Sequence, residues 1–116
     1  MSINSVSELL DAIRRTTSHW ADQETLKFWG SRISESSITK LSDNVYRFVS
    51  SEHNFDRSAR LYTVREVTFG ETVREDGRTV GTANIETVSN HDDFQAYGTL
   101  TTAKRHLRDR AGVRIG

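Results

Sequence analysis

The chain has no cysteine and no proline, and none of its apolar runs is longer than three residues, Phe48-Val49 being typical. Without cysteine there is no disulfide framework, thiolate nucleophile, Cys-type zinc site or iron–sulfur cluster, so packing and hydrogen bonds must hold the fold. Without a long apolar segment there is neither a membrane span nor the h-region of a signal peptide, and the expectation is a cytoplasmic protein with no membrane partner. An excess of one charge is also lacking. The 16 Lys+Arg balance 16 Asp+Glu, which excludes an acidic nucleic-acid mimic. Apolar residues are scarce as well, at 34%. Leu, Ile, Val and Phe together number 27, about 23% of the chain, just above the ~20% region in which highly charged chains fail to fold. Zero net charge tips the balance toward folding, and 116 residues suffice for a single domain spanning 1–116.

What is present reads as an α+β chain. Ser5 followed by Glu8 fits a capping box, and Val6, Leu9, Leu10 and Ile13 recur at helical spacing, which predicts a helix over about 5–15. Asp22 is a candidate N-cap for a second, short helix carrying Leu26, Phe28 and Trp29, with Gly30 placed for a C-terminal stop. Val45 to Ser50 is rich in β-formers, Ser51 to Ser58 reads as a polar loop, and Leu61 to Phe69 is the strongest strand pattern. In that strand Leu61, Val67 and Phe69 fall on one face and Tyr62 and Val64 on the other. Asp76-Gly77 signals a hairpin into Thr79 to Val88, whose Val80, Ile85 and Val88 fall out of phase, so a bulge is expected near Gly81. Thr99 caps a final helix striped by Leu100, Ala103, Leu107 and Ala111 and ended by Gly112. This order predicts a small antiparallel sheet of three to four strands covered by N-terminal and C-terminal helices, because strands grouped between helices do not build parallel βαβ units.

Several segments carry a recognisable pattern in order: Thr17-Ser18-His19-Trp20, then Glu24-Thr25-Leu26-Lys27-Phe28-Trp29-Gly30-Ser31-Arg32-Ile33, then Ser50-Ser51-Glu52 with Asn54-Phe55-Asp56. Arg60-Leu61-Tyr62-Thr63-Val64-Arg65 and Phe94-Gln95-Ala96-Tyr97 with Ala103 complete it. In this arrangement the chain resembles a family of short bacteriophage and mobile-element proteins that have no assigned activity. The resemblance implies an origin and a compact domain rather than a chemistry. This chain interposes Asn90-His91-Asp92-Asp93 where those proteins run directly from the late strand into the Phe-Gln-Ala-Tyr segment. Of the 16 cations, 13 are Arg, a bias that accords with a GC-rich genome and equally with selection for bidentate contacts.

The charges are unevenly placed. Residues 100–116 hold Lys104, Arg105, Arg108, Arg110 and Arg114 against Asp109, a net of +4, which leaves −4 on residues 1–99. Lys104, Arg105, Arg108 and Arg110 on a final helix are candidates for binding phosphates, since cations placed on a nucleic-acid backbone release condensed counterions. The competing use is a solvated helix face whose cations favour the helix C-terminus, or a salt-bridged seam against the acidic body.

Glu52, His53, Asn54 and Asp56 form a second candidate, a polar loop with two carboxylates, an imidazole and an amide within five residues. General acid–base work could use such groups. The stretch lacks the acidic spacing and central Gly of a calcium loop, and a turn in which Asn54 and Asp56 bond the backbone while Phe55 enters the core is its commoner use. His91-Asp92-Asp93 carries less, because neighbouring residues of a strand point to opposite faces, and no metal site is assigned. Trp20, Phe28 and Trp29 suit a partner anchor, although aromatics in a chain this poor in Leu more often supply the core. Arg47, Arg60 and Arg65 could form an anion-reading row or pair across strands with Glu52 and Glu66. A Gly-rich phosphate loop, a nucleophile elbow, a His-Glu-x-x-His motif and a dinucleotide fingerprint are all missing.

The reading is therefore a small phage-encoded non-enzymatic protein without cofactors that binds a host or phage macromolecule, a protein first, in host modulation or counter-defence. The alternative is nucleic-acid binding through the basic C-terminal helix. Because X-Pro isomerisation is the usual source of refolding phases lasting tens of seconds, none is expected in this proline-free chain. Stopped-flow refolding should show no slow phase that responds to a prolyl isomerase.

Overall fold

The computed structural model describes residues 2–18, 20–53, 60–88 and 97–108, with the backbone alone at 52, 53 and 60. The elements are α1 (Val6–Arg14), α2 (Gln23–Gly30), a single 3-10 turn (Glu35–Ser37), β1 (Thr39–Ser42), β2 (Val45–His53), β3 (Arg60–Val73), β4 (Thr79–Thr87) and α3 (Leu100–Arg105). The strands form one antiparallel, four-stranded sheet in the order β1-β2-β3-β4. The chain is α+β.

Residues directly opposite in an antiparallel ladder share a face, so the register assigns the two sides of the sheet. Tyr46 lies opposite Val67 and Phe48 opposite Arg65, while Val67 and Phe69 meet Ile85 and Ala83 on β4. On this face Tyr46, Phe48, Val67, Phe69 and Ala83 join Leu9 and Ile13 of α1, Leu26 of α2, Trp20 and Ile33 in one buried cluster. The intervening positions Val49 and Val64 belong to the other face, where they meet Val88, Tyr97, Ala103 and Leu107. The helices are short, and they divide between the two faces. Both faces of β2 and β3 are thus used, as the two-sided pattern of Leu61 to Phe69 predicts.

Local chemistry explains each boundary. Ser5 caps α1 by accepting the Glu8 N–H at 3.1 Å, and the Val6 N–H donates to the Glu35 carboxylate at 3.0 Å. Gly30 is not the expected left-handed stop: it is the last residue of α2, and Ser31 follows with φ −82° and ψ −7°. Its value is steric, because a Cβ there would stand 2.9 Å from Leu10 Cδ1. The β3–β4 turn is as expected in place but one residue longer than a two-residue hairpin. Arg74 N–H donates to Arg78 O and Gly77 N–H to Arg74 O, with Gly77 in the left-handed region at φ 84°.

Three expectations are corrected. The polar stretch after Ser50 is not all loop, because β2 continues to His53 opposite Arg60. Ser51 is held there by its neighbour, its N–H donating to Arg32 O at 2.9 Å, while Ser50, inside the expected strand, accepts from Arg65 Nε through Oγ at 2.9 Å. The bulge is not at Gly81, since the β3–β4 register is unbroken from Arg65↔Thr87 to Val73↔Thr79, and the irregularity lies in β1 between Lys40 and Ser42. Val80, Ile85 and Val88 fall out of phase for another reason. Ile85 packs on the first cluster and Val88 on the second, so the strand serves both faces. The final helix is six residues long, with the expected Thr99 cap accepting the Thr102 N–H at 3.1 Å, and Ala111 and Gly112 lie outside the described residues.

Where β1 stops, a side chain replaces the ladder. Ser37 is fully buried, its Oγ accepts the Val49 N–H at 2.8 Å, and it donates to Ser34 O at 2.6 Å. Ser37→Ala would leave a buried strand N–H without its acceptor, a loss of about 1–3 kcal/mol. Chemical denaturation should show that loss, whereas Ser7→Ala on the exposed side of α1 should stay within about 0.5 kcal/mol of wild type.

Candidate functional site

The basic C-terminal segment is positioned by one buried ion pair. Arg47 and Glu66 are opposite each other in the β2–β3 register, on the face that carries Val49 and Val64. Arg47 Nε donates to Glu66 Oε1 at 3.0 Å and Nη1 donates to Leu107 O at 2.9 Å, and the two side chains are only 8% and 23% exposed. The guanidinium therefore ties the chain just past α3 to the sheet. Tyr97 stacks on His106 with ring centroids 4.7 Å apart and planes 11° from parallel, adding a second tie.

Held this way, α3 presents its cations outward. Lys104, Arg105 and Arg108 are exposed, and Lys104 Nζ donates to Ser36 Oγ at 3.1 Å. Among the described residues none of the three is in ion-pair contact with a carboxylate. Arg110 lies outside the described residues.

A second feature lies on the opposite face. Trp20 is buried and stacks on Trp29 with centroids 4.7 Å apart and planes 2° from parallel, and its edge meets Phe48 at 6.2 Å. The Arg65 guanidinium carbon stands 4.7 Å from the Trp29 ring centroid and 5.9 Å from that of Trp20, and the side chain also reaches Ser50 Oγ and Thr87 Oγ1. The row ends at the surface. Phe28 packs edge-on to Trp29 and is 49% exposed, with the Arg32 guanidinium 3.8 Å above its ring. Trp20 is thus core, Trp29 half-buried, and Phe28 the exposed member of the aromatic trio.

The helix carrying Phe28 starts at Asp22, whose carboxylate accepts the Thr25 hydroxyl and, at 2.9 Å, the Thr25 N–H. The hydroxyl first and the N–H second hold the Asp22 carboxyl below its ordinary value of 3.8. A depressed folded-state value means that this cap is fully formed above that ordinary value and is lost as pH falls through the folded one.

The proposed row of Arg47, Arg60 and Arg65 is not one row. Arg47 and Arg65 sit on opposite faces, and Arg47 takes the cross-strand partner Glu66. Glu52 and His53 occupy the end of β2 opposite Leu61 and Arg60. Asn54, Asp56 and His91-Asp92-Asp93 lie outside the described residues. An open cleft of about 510 Å³ between α1 and α2 is lined by Leu10, Asp11, Arg14, Leu26 and Lys27 among others. Asp11 and Arg14 pair with each other in it, leaving no coupled acid and base among its lining groups. No helix among the described residues is long and apolar enough to cross a membrane.

A family of unknown function, DUF7447, matches residues 5–108, from the Ser5 cap of α1 to Arg108 beyond α3. The chain belongs to that family. No curated protein and no solved structure matches it. The match embraces α1 through α3, so Arg47 and Glu66, Phe28 and Arg32, and Lys104, Arg105 and Arg108 all lie within the family domain.

Leu107 O was not distinguishable in the sequence, since it meets Arg47 across 60 positions, whereas Arg32 stands only four residues after the Phe28 ring it covers. Glu66 was named there as a cross-strand partner for the group Arg47, Arg60 and Arg65, and the structure gives it to Arg47. Arg47→Ala strands a nearly buried carboxylate and removes the donor from Leu107 O, so urea denaturation should report a loss of about 2–4 kcal/mol. Replacing both partners, as Arg47→Met with Glu66→Leu, should recover part of that loss.

Proposed function

We propose that this protein is a small non-enzymatic binding protein of phage or mobile-element origin that acts in the bacterial cytoplasm by docking on a host or phage protein. The observation that carries the reading is Phe28, half exposed beside Trp29 with the Arg32 guanidinium over its ring. Aromatic and arginine side chains are the types enriched at binding hot spots, and a cation held against a ring face keeps both ordered before a partner arrives. Host modulation or counter-defence is the role this reading assigns. Affinity capture from bacterial lysate, with wild type and Phe28→Ala/Arg32→Ala compared by mass spectrometry, tests it. A specific partner whose recovery falls about tenfold or more in the variant is expected. Recovery of the same proteins by both chains would overturn it.

A second reading rests on a separate observation, the exposed cations Lys104, Arg105 and Arg108 without a described carboxylate partner. It assigns nucleic acid as the partner, bound by phosphate contacts, with Arg110 as a fourth cation. Mobility shifts at about 50 and about 200 mM salt separate the two, because phosphate binding weakens steeply over that range. Loss of the shift in Arg105→Ala/Arg108→Ala would favour this second reading, and an unchanged shift would remove α3 as the site.

A further inference from the structure

The two edges of the sheet are not alike. Edge strands expose unpaired N–H and C=O groups, and proteins guard them with short strands, bulges and lysine. β1 has all three: it is four residues long, its register slips between Lys40 and Ser42, and Lys40 stands on it. β4 has none. It is nine residues long, pairs with β3 without a register shift, and contains no Lys, Arg or Pro, with Glu86 as its one charge.

The ladder shows which of its groups face outward. Val88 N–H donates to Val64 O, so even-numbered residues of β4 bond inward to β3 and odd-numbered ones point away. Gly81 confirms this, because its outward carbonyl accepts the Thr17 N–H at 3.0 Å. Past that contact, Ala83, Ile85 and Thr87 turn their backbone N–H and C=O outward, with no backbone partner for them among the described residues.

We infer that the β4 edge from Ala83 to Thr87 is the site at which a second copy of this chain adds, giving a two-fold dimer with a continuous antiparallel sheet across it. The sequence of the edge is self-complementary about Ile85. With Ile85 opposite the Ile85 of its mate, Ala83 faces Thr87 and Thr87 faces Ala83, so the three outward residues exchange six backbone hydrogen bonds. On one face, Ile85 is half-buried against the first cluster and completes its burial against its symmetry mate. On the other face Asn84 of each copy stands opposite Glu86 of the other, an amide donor against a carboxylate. Asn84 Nδ2 already donates to Glu86 Oε1 at 3.0 Å within one chain, so the groups have the chemistry and reach for it. Shifting the centre to Glu86 would set the two carboxylates against each other. Charge thus disfavours the Glu86-centred register, and the Asn84–Glu86 pairing favours the Ile85-centred one.

Sedimentation velocity of the full chain over about 1–100 μM tests the inference. A concentration-dependent dimer is expected. Asn84→Glu, at an exposed position, sets two like-charge pairs across the interface and should weaken the dimer about tenfold, whereas Asn84→Lys should hold or tighten it. Thr87→Pro removes an outward N–H that the intramolecular ladder does not use, and should also weaken the dimer, with circular dichroism verifying the sheet. A chain that stays monomeric over the whole range overturns the inference. So does a dimer indifferent to both Asn84→Glu and Thr87→Pro, and so does binding at this edge by a different partner protein while the chain remains monomeric.

Discussion

The nine-pair register between β2 and β3 is the constraint on which everything else rests. A strand has a side-chain period of two, so sliding it by one residue would exchange its faces. In the observed register Tyr46, Phe48, Val67 and Phe69 project together toward α1 and α2, while Val49 and Val64 project toward Tyr97 and α3. A chain with few aliphatic residues can afford neither face as solvent surface. Using both faces of the two central strands allows 34% hydrophobic residues to enclose two clusters.

The same register sets the polar anatomy. It brings Arg47 opposite Glu66 and sends Arg65 to the other side, where it lies against Trp29. The first arrangement holds the end of α3, whose own cations then face solvent. The second helps order a row of aromatic rings that emerges at Phe28. The two candidate interfaces are therefore on opposite faces of one sheet, each supported by an arginine whose location follows from strand pairing. Buried serines complete the scheme: Ser37 accepts a backbone amide that the ladder leaves over, and Ser50 accepts from the Arg65 guanidinium.

Much of this was legible along the chain. The caps at Ser5, Asp22 and Thr99, the two-sided pattern of Leu61 to Phe69 and the turn at Asp76-Gly77 were readable because each depends on residues within a few positions of one another. The charge asymmetry was also legible as a count. Misreadings share a cause. Gly30 and Gly81 were assigned local backbone roles, but each answers to a distant segment: Leu10 approaches the first and the Arg15 and Thr17 backbone approaches the second. The polar stretch from Ser51 suggested a loop because hydroxyls are common in loops, whereas the contact that holds Ser51 in the strand comes from Arg32.

Sequence by itself determined the element types, their capping and the alternation that makes β3 two-faced, since these follow from short-range hydrogen bonding and side-chain periodicity. It also determined that a +4 segment ends the chain. Only tertiary structure decided which face each cluster of charges and rings occupies, that Trp20 is interior while Phe28 is not, and that β1 is a short, irregular strand beside β2 and β4 a long, regular one beside β3. Those outcomes depend on pairing partners separated by tens of residues, and no local pattern specifies which edge or face will be left for another molecule.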